Sequence, residues 1–122
     1  DKSSRGYVNH GINVLTKLFD SGRADCIAHP FIGRFIRCFE DRTLVTKEIN
    51  DKELGDILEL GKNSNVAWEI NSGAMLGDPE FAKRYWNLGK EVGVVFNLGT
   101  DAHRLISIDT KHAIEQINSI LD

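Results

Sequence analysis

Three short apolar segments, residues 24–28, 65–71 and 93–98, alternate with stretches of helical periodicity. That alternation limits the fold more than any other feature. Parallel strands need a crossover connection, and an amphipathic helix is the compact way to make one, so the pattern implies a parallel sheet in an α/β fold. The third segment, Gly93-Val94-Val95-Phe96-Asn97-Leu98, has the length and β-branched content of a buried strand. Directly after it stand Gly99-Thr100-Asp101-Ala102-His103. Asp101 and His103 therefore lie just past a strand's C-terminal end, where parallel α/β folds collect ligands and metals. Two positions apart on an extended segment, they project to the same side, and a carboxylate with an imidazole suits zinc, manganese or iron. The plainer alternative is that Asp101 caps the following segment and His103 is a surface residue.

The first element reads as a helix over 4–20, with Val8, Ile12, Leu15 and Phe19 on one face, Ser3 or Ser4 as cap and Gly22 at the C-terminal end. His10 falls off that face and reads as solvated. Residues 24–28 then form a strand in which Cys26 is a small buried hydrophobe, stopped by His29-Pro30 because proline cannot continue the ladder. His29 is left at the strand's C-terminal edge, the topological position of the Asp101-His103 pair. Residues 31–40 are aromatic and basic, a loop with a short helical turn. Arg34 and Arg37 within it could hold a phosphate through charge-assisted bonds, or could be ordinary surface charge.

Asn50 with Glu53 three positions on has the form of a capping box, followed by a packing face of Leu54, Ile57, Leu58 and Gly61. The strand at 65–71 carries Glu69, a carboxylate that is costly inside a sheet unless paired or bound. Either Glu69 and Asn71 face a polar centre, or Glu69 bonds neighbouring backbone and Asn71 makes the turn before Ser72-Gly73. Asp78-Pro79 is a helix start, with Phe81, Tyr85, Leu88 and Val92 buried and Gly93 as the stop. Tyr85-Trp86 reads as core and shell packing. Asp109 caps the last helix, whose Ala113, Ile114, Ile117, Ile120 and Leu121 face the sheet, with His112 outside.

At 122 residues the chain is one domain at most. A formal charge of -3 supplies no basic footprint for nucleic acid. No apolar run reaches membrane-spanning length and no signal-peptide pattern opens the sequence. Cys26 and Cys38 form neither a C-x-x-C nor a disulfide-dense pattern, which fits a reducing, cytoplasmic setting.

Ala28-His29-Pro30 after one strand, Trp68-Glu69-Ile70-Asn71-Ser72 ending the next, and Gly99-Thr100-Asp101-Ala102-His103 ending the last together resemble the C-terminal half of the PHP (polymerase and histidinol phosphatase) superfamily. The likeness covers nearly the whole chain, in the family's order and spacing. It implies the C-terminal part of a distorted TIM-like (β/α)7 barrel that holds two or three divalent metals (zinc, manganese or iron) and hydrolyses phosphate esters. By that resemblance His29 binds the second metal, Asp101 the first and His103 the third. Asp101 and His103 then serve catalysis, the Glu69-Asn71 segment lines the site without being a metal ligand, and the substrate is a small phosphorylated molecule, which Asn71 and, by its charge, Arg34 could contact.

The family's opening H-x-H motif, two further histidines, a bridging glutamate and another histidine are not in this sequence. The resemblance therefore implies that the first half of the barrel comes from elsewhere, in cis or from another chain. It also implies that these 122 residues alone are inactive, bind metal weakly and tend to self-associate. Two other readings stand beside it: an amidohydrolase-type barrel metallohydrolase, and a PHP-derived structural or interaction module without activity.

Overall fold

The computed structural model describes residues 2–32 and 34–122, the side chains of Arg34, Phe35 and Ser107 excepted. In chain order the elements are α1 (Ser4–Ser21), β1 (Cys26–Ile27), a 3-10 turn (Arg34–Cys38), α2 (Leu44–Glu48), α3 (Asp51–Asn63), β2 (Ala67–Asn71), α4 (Ser72–Gly77), α5 (Pro79–Val92), β3 (Phe96–Gly99), a second 3-10 turn (Leu105–Ile108) and α6 (Thr110–Leu121). The three strands pair in parallel in the order β1-β2-β3. The protein is thus an α/β fold, a small parallel sheet flanked by helices.

Local chemistry sets most helix boundaries. Ser3 caps α1 by accepting a bond from the Gly6 amide, and Gly22 closes it in the left-handed conformation. Asn50 and Glu53 form a reciprocal capping box on α3. Asp78 accepts from the Phe81 amide ahead of Pro79, and Asp109 accepts from the His112 amide at the start of α6. Glu53 does double duty. It also pairs with Arg5 of α1, whose guanidinium reaches the Glu48 carbonyl as well, so one carboxylate both starts α3 and ties it to α1. The Arg5 hydrogen bond, with help from the Asn50 amide, holds the Glu53 carboxyl below the usual glutamate value.

The register sorts residues onto two faces. Ile27, Trp68, Ile70, Phe96 and Leu98 point one way; Cys26, Glu69 and Asn97 point the other. The helices pack on the first face. Trp68 is fully buried there, edge-on to Phe19 of α1 and to Tyr85 of α5, while Phe96 meets both Tyr85 and Trp86. Tyr85 donates its hydroxyl proton to the Glu69 carbonyl at 2.9 Å. Arg84 fastens α5 to the α2–α3 corner by donating to the Thr46 and Ile49 carbonyls and to Asp51.

Several expectations change. The first strand shrinks to two residues, and Cys26 is exposed, because it lies on the face the helices leave open. The third strand is not buried on both sides: Val95 just before it is 65 % exposed and Asn97 is exposed on the same open face. Of the α6 residues expected to face the sheet, Ala113 and Ile117 are buried and Ile120 and Leu121 half-buried, but Ile114 is 47 % exposed. Two short helices were not anticipated, α2 and α4. Asn71 does not make a simple turn; its side chain accepts the Ala74 amide and starts α4 directly from the end of β2. Among the described residues no helix is long and apolar enough to cross a membrane.

Two glycines give opposite outcomes when changed to alanine. At Gly61 a Cβ would lie 2.7 Å from the Trp68 ring, in a core without slack, so Gly61→Ala should cost about 1–3 kcal/mol in a urea titration. Gly55 has nothing within 4 Å of a built Cβ, so Gly55→Ala on the same helix should gain about 0.5–1 kcal/mol from helix propensity. Burial raises the Tyr85 hydroxyl well above its ordinary value, ahead of smaller contributions from Cys26 and Glu69. A raised folded-state value means that the unfolded chain ionises first. Stability is full below pH 10, the ordinary tyrosine value, and falls as pH rises beyond it. Tyr85→Phe should lower stability at pH 7 by about 1 kcal/mol, through the lost hydrogen bond, and flatten the alkaline decline; unfolding curves at pH 7 and pH 11 check both.

Candidate functional site

All three strands end at one cleft of about 690 Å³. His29 reaches it from the turn after β1, Asn71 from the last position of β2, and Thr100, Asp101 and His103 from the segment after β3. Arg37 from the first 3-10 turn and Arg42 from the bend before α2 complete the polar wall, with Ile32 and Ile36 as its apolar part.

The turn that presents His29 is held from below. His29 and Phe31 both have left-handed backbones, with φ of 63° and 65°, on either side of Pro30. For L-residues that region costs roughly 1–2 kcal/mol each, so something must pin it. Pro30 and Phe31 are buried, and the Phe31 ring lies where α1 carries Gly11; a Cβ there would be only 3.1 Å from the ring. Burying Phe31 fixes the turn and leaves the His29 side chain exposed in the cleft. Asp101 has the same backbone, with φ of 49°, one residue beyond Thr100. Both strand-end candidates therefore sit in conformations that sequence preference alone would avoid, a feature that clusters at functional sites.

His103 is oriented by its own segment. Its Nδ1 lies 2.6 Å from the Asp101 carbonyl oxygen. A neutral ring at that separation carries its proton on Nδ1 and donates it to the carbonyl, which leaves the Nε2 lone pair free. That is the arrangement metal-binding histidines adopt, with the second nitrogen fixed by an acceptor.

Glu69 and Asn71 divide between the two alternatives. Asn71 is buried; its carboxamide donates to Glu69 at 3.2 Å and accepts from the Ala74 amide at 3.0 Å. Glu69 lies on the open polar face against Gly99, close enough that a Cβ at 99 would collide with its carboxylate. Asn97 on the same face donates to the Cys26 sulfur at 3.6 Å.

The shared cleft is where the spacing of motifs pointed. The three candidate ligands, His29, Asp101 and His103, line it together, yet among the described residues no group of three His, Cys, Asp or Glu side chains is close enough to hold one metal. The Arg34 side chain lies outside the described residues. His10 and His112 are exposed and away from the cleft. Arg42 was missed, because Glu40-Asp41-Arg42 has the composition of a solvated charge run; only the fold brings it to the strand ends. Thr100 was passed over as a spacer within its motif. No protein-family model, curated protein or solved structure matches the chain.

Because glycine carries no left-handed penalty, His29→Gly should be about 1 kcal/mol more stable than His29→Ala, the reverse of the usual order at a non-helical position. Paired thermal melts of the two variants measure this; an alanine variant at least as stable would mean that the turn is not strained.

Proposed function

We propose that this cleft belongs to a metal-dependent phosphoesterase site of the PHP kind, in which His29, Asp101 and His103 are metal ligands. The observation that carries the reading is convergence. Residue types that bind divalent metals meet at the C-terminal ends of β1 and β3, in one cleft, on a parallel sheet. The donor chemistry fits: a carboxylate, one exposed imidazole, and a second imidazole whose Nδ1 is engaged by backbone and whose Nε2 is free. Among the described residues no three such side chains stand close enough to hold one metal, so in this reading each metal needs ligands beyond these three. A divalent metal bound here would neutralise charge on a phosphate ester and acidify a bound water.

The chain's own residues have separable tasks. Asp101 supplies the anionic ligand, and the fixed ring of His103 offers its lone pair without first having to reorient. Asn71 is committed at both ends of its carboxamide, so it shapes the wall, and through α4 it positions Gly73 and Ala74 at the cleft.

The open face of the sheet supports the barrel part of the reading. Cys26, Glu69 and Asn97 form a polar layer opposite the helices, and Val95 is exposed beside them. Inward-facing layers of this sort are completed in a barrel by side chains from further strands. In this proposal such strands, from elsewhere in a longer protein or from a partner chain, bring the remaining metal ligands.

Manganese titrated into isotopically labelled protein tests the assignment without requiring turnover. Paramagnetic broadening should begin at the amides around His29 and around Asp101 and His103, in the sub-millimolar range expected of an incomplete ligand set, and Asp101→Ala should remove it. Broadening centred elsewhere, or unchanged in Asp101→Ala, would count against the metal site. Any release of phosphate from 4-nitrophenyl phosphate by a complete enzyme should fall at least about a hundredfold in the same variant, because the loss of an anionic ligand weakens both metal binding and water activation.

A further inference from the structure

The two imidazoles of the cleft are placed by different means. His103 is held by the bond between its own ring and the Asp101 carbonyl. The His29 ring has no such partner among the described residues, so its place depends on the backbone that carries it. His29 and Phe31 are both left-handed, with φ of 63° and 65°, and the ring of Pro30 between them fixes its own φ. A turn so constrained transmits movement: displacing Phe31 displaces the Cα–Cβ bond of His29.

Phe31 is 5 % exposed and seated on α1. A Cβ at Gly11 would lie 3.1 Å from its Cε1 and 3.3 Å from its Cδ1, so ring or helix would have to yield by a few tenths of an ångström. Gly11 does not have a positive φ, and inside a helix glycine costs stability relative to alanine. Close approach of the Phe31 ring is what the glycine permits. One turn earlier on the same face of α1, Tyr7 meets Phe39 edge-on, with ring centroids 5.6 Å apart. Phe31 and Phe39 bracket the segment that gives Ile32, Ile36 and Arg37 to the cleft. One stripe of α1 therefore seats both ends of that segment, although neither Tyr7 nor Gly11 lines the cleft.

We infer that Gly11 is a positioning residue of this cleft: its missing side chain seats Phe31, and through the His29-Pro30-Phe31 turn that seat sets where the His29 imidazole stands. A contact made by α1 thus governs ligand binding at His29 and leaves Asp101 and His103 untouched. That His29 binds a metal rests on the phosphoesterase reading; that Gly11 positions His29 does not.

The test compares isotopically labelled wild type with Gly11→Ala, Phe31→Leu and the double variant, using manganese as the probe. Two quantities are read. One is the amide–Hα scalar coupling of His29 and of Phe31, which follows φ. The other is the manganese concentration that broadens amides around His29, set against that for amides around Asp101 and His103. Gly11→Ala should shift the couplings and weaken the His29 response by about three- to tenfold, with the Asp101 response unchanged. Gly55→Ala, where a built Cβ meets nothing within 4 Å, should change neither. Phe31→Leu alone should also weaken the His29 response, by emptying the seat. In the double variant leucine makes room for the new methyl, so the response should return toward wild type. Additive losses in the double variant, equal losses at His29 and Asp101, or a His29 response unchanged by Gly11→Ala would overturn the inference. Failure of the metal reading shows separately, as a wild type with no manganese response at His29. The couplings then decide: shifted by Gly11→Ala and restored in the double variant they support the positioning role, and unshifted they overturn it.

Discussion

The packing of Trp68 against Gly61 determines which way this sheet faces. A tryptophan at the centre of the middle strand can be buried only if α3 comes close, and a helix comes that close only where it lacks a Cβ. Truncating a buried tryptophan costs about 3–5 kcal/mol, a large part of what holds a domain of this size together. No partner reaches the Trp68 indole nitrogen among the described residues, so the ring is held by shape and burial and not by a hydrogen bond. Phe19, Tyr85 and Phe96 assemble around it, and with them α1, α5 and β3.

Once that face is committed to the helices, the alternation of strand residues sends Glu69 and Asn97 to the other side, and the strand ends fall into line. Parallel strands ending together deliver His29, Asn71 and Asp101 to one rim. The backbone cost of the left-handed residues there is met by burial nearby, of Phe31 beneath the His29 turn. The turn that carries His29 is therefore pinned from below. Arg37 and Arg42 come to the same cleft from a 3-10 turn and from the bend before α2.

Legibility followed the range of the interaction. Caps at Ser3, Asn50, Asp78 and Asp109 were readable because a cap is a contact between residues three apart. The three strands and their parallel order were readable from alternation, although β1 is shorter than its apolar run. The burial of Cys26, Val95 and Ile114 was misjudged for one reason: apolar character says that a residue can be buried, not that a neighbour exists to bury it. Short α2 escaped notice because its cap residue, Thr43, makes no side-chain cap bond, and α4 because Asn71 ends a strand and starts a helix at once.

The sequence by itself determined the four longer helices with their starts, the three strands and the three strand-end motifs, since each is written in neighbouring residues. Tertiary structure alone decided that His103 is turned by the Asp101 carbonyl, and that Arg42 comes back from a charged bend to stand beside His29, Asp101 and His103. Those outcomes depend on crossovers of many residues, whose end points are set by how Trp68 and Phe31 pack. Packing of that kind is a property of the whole fold, and no local stretch of the chain encodes it.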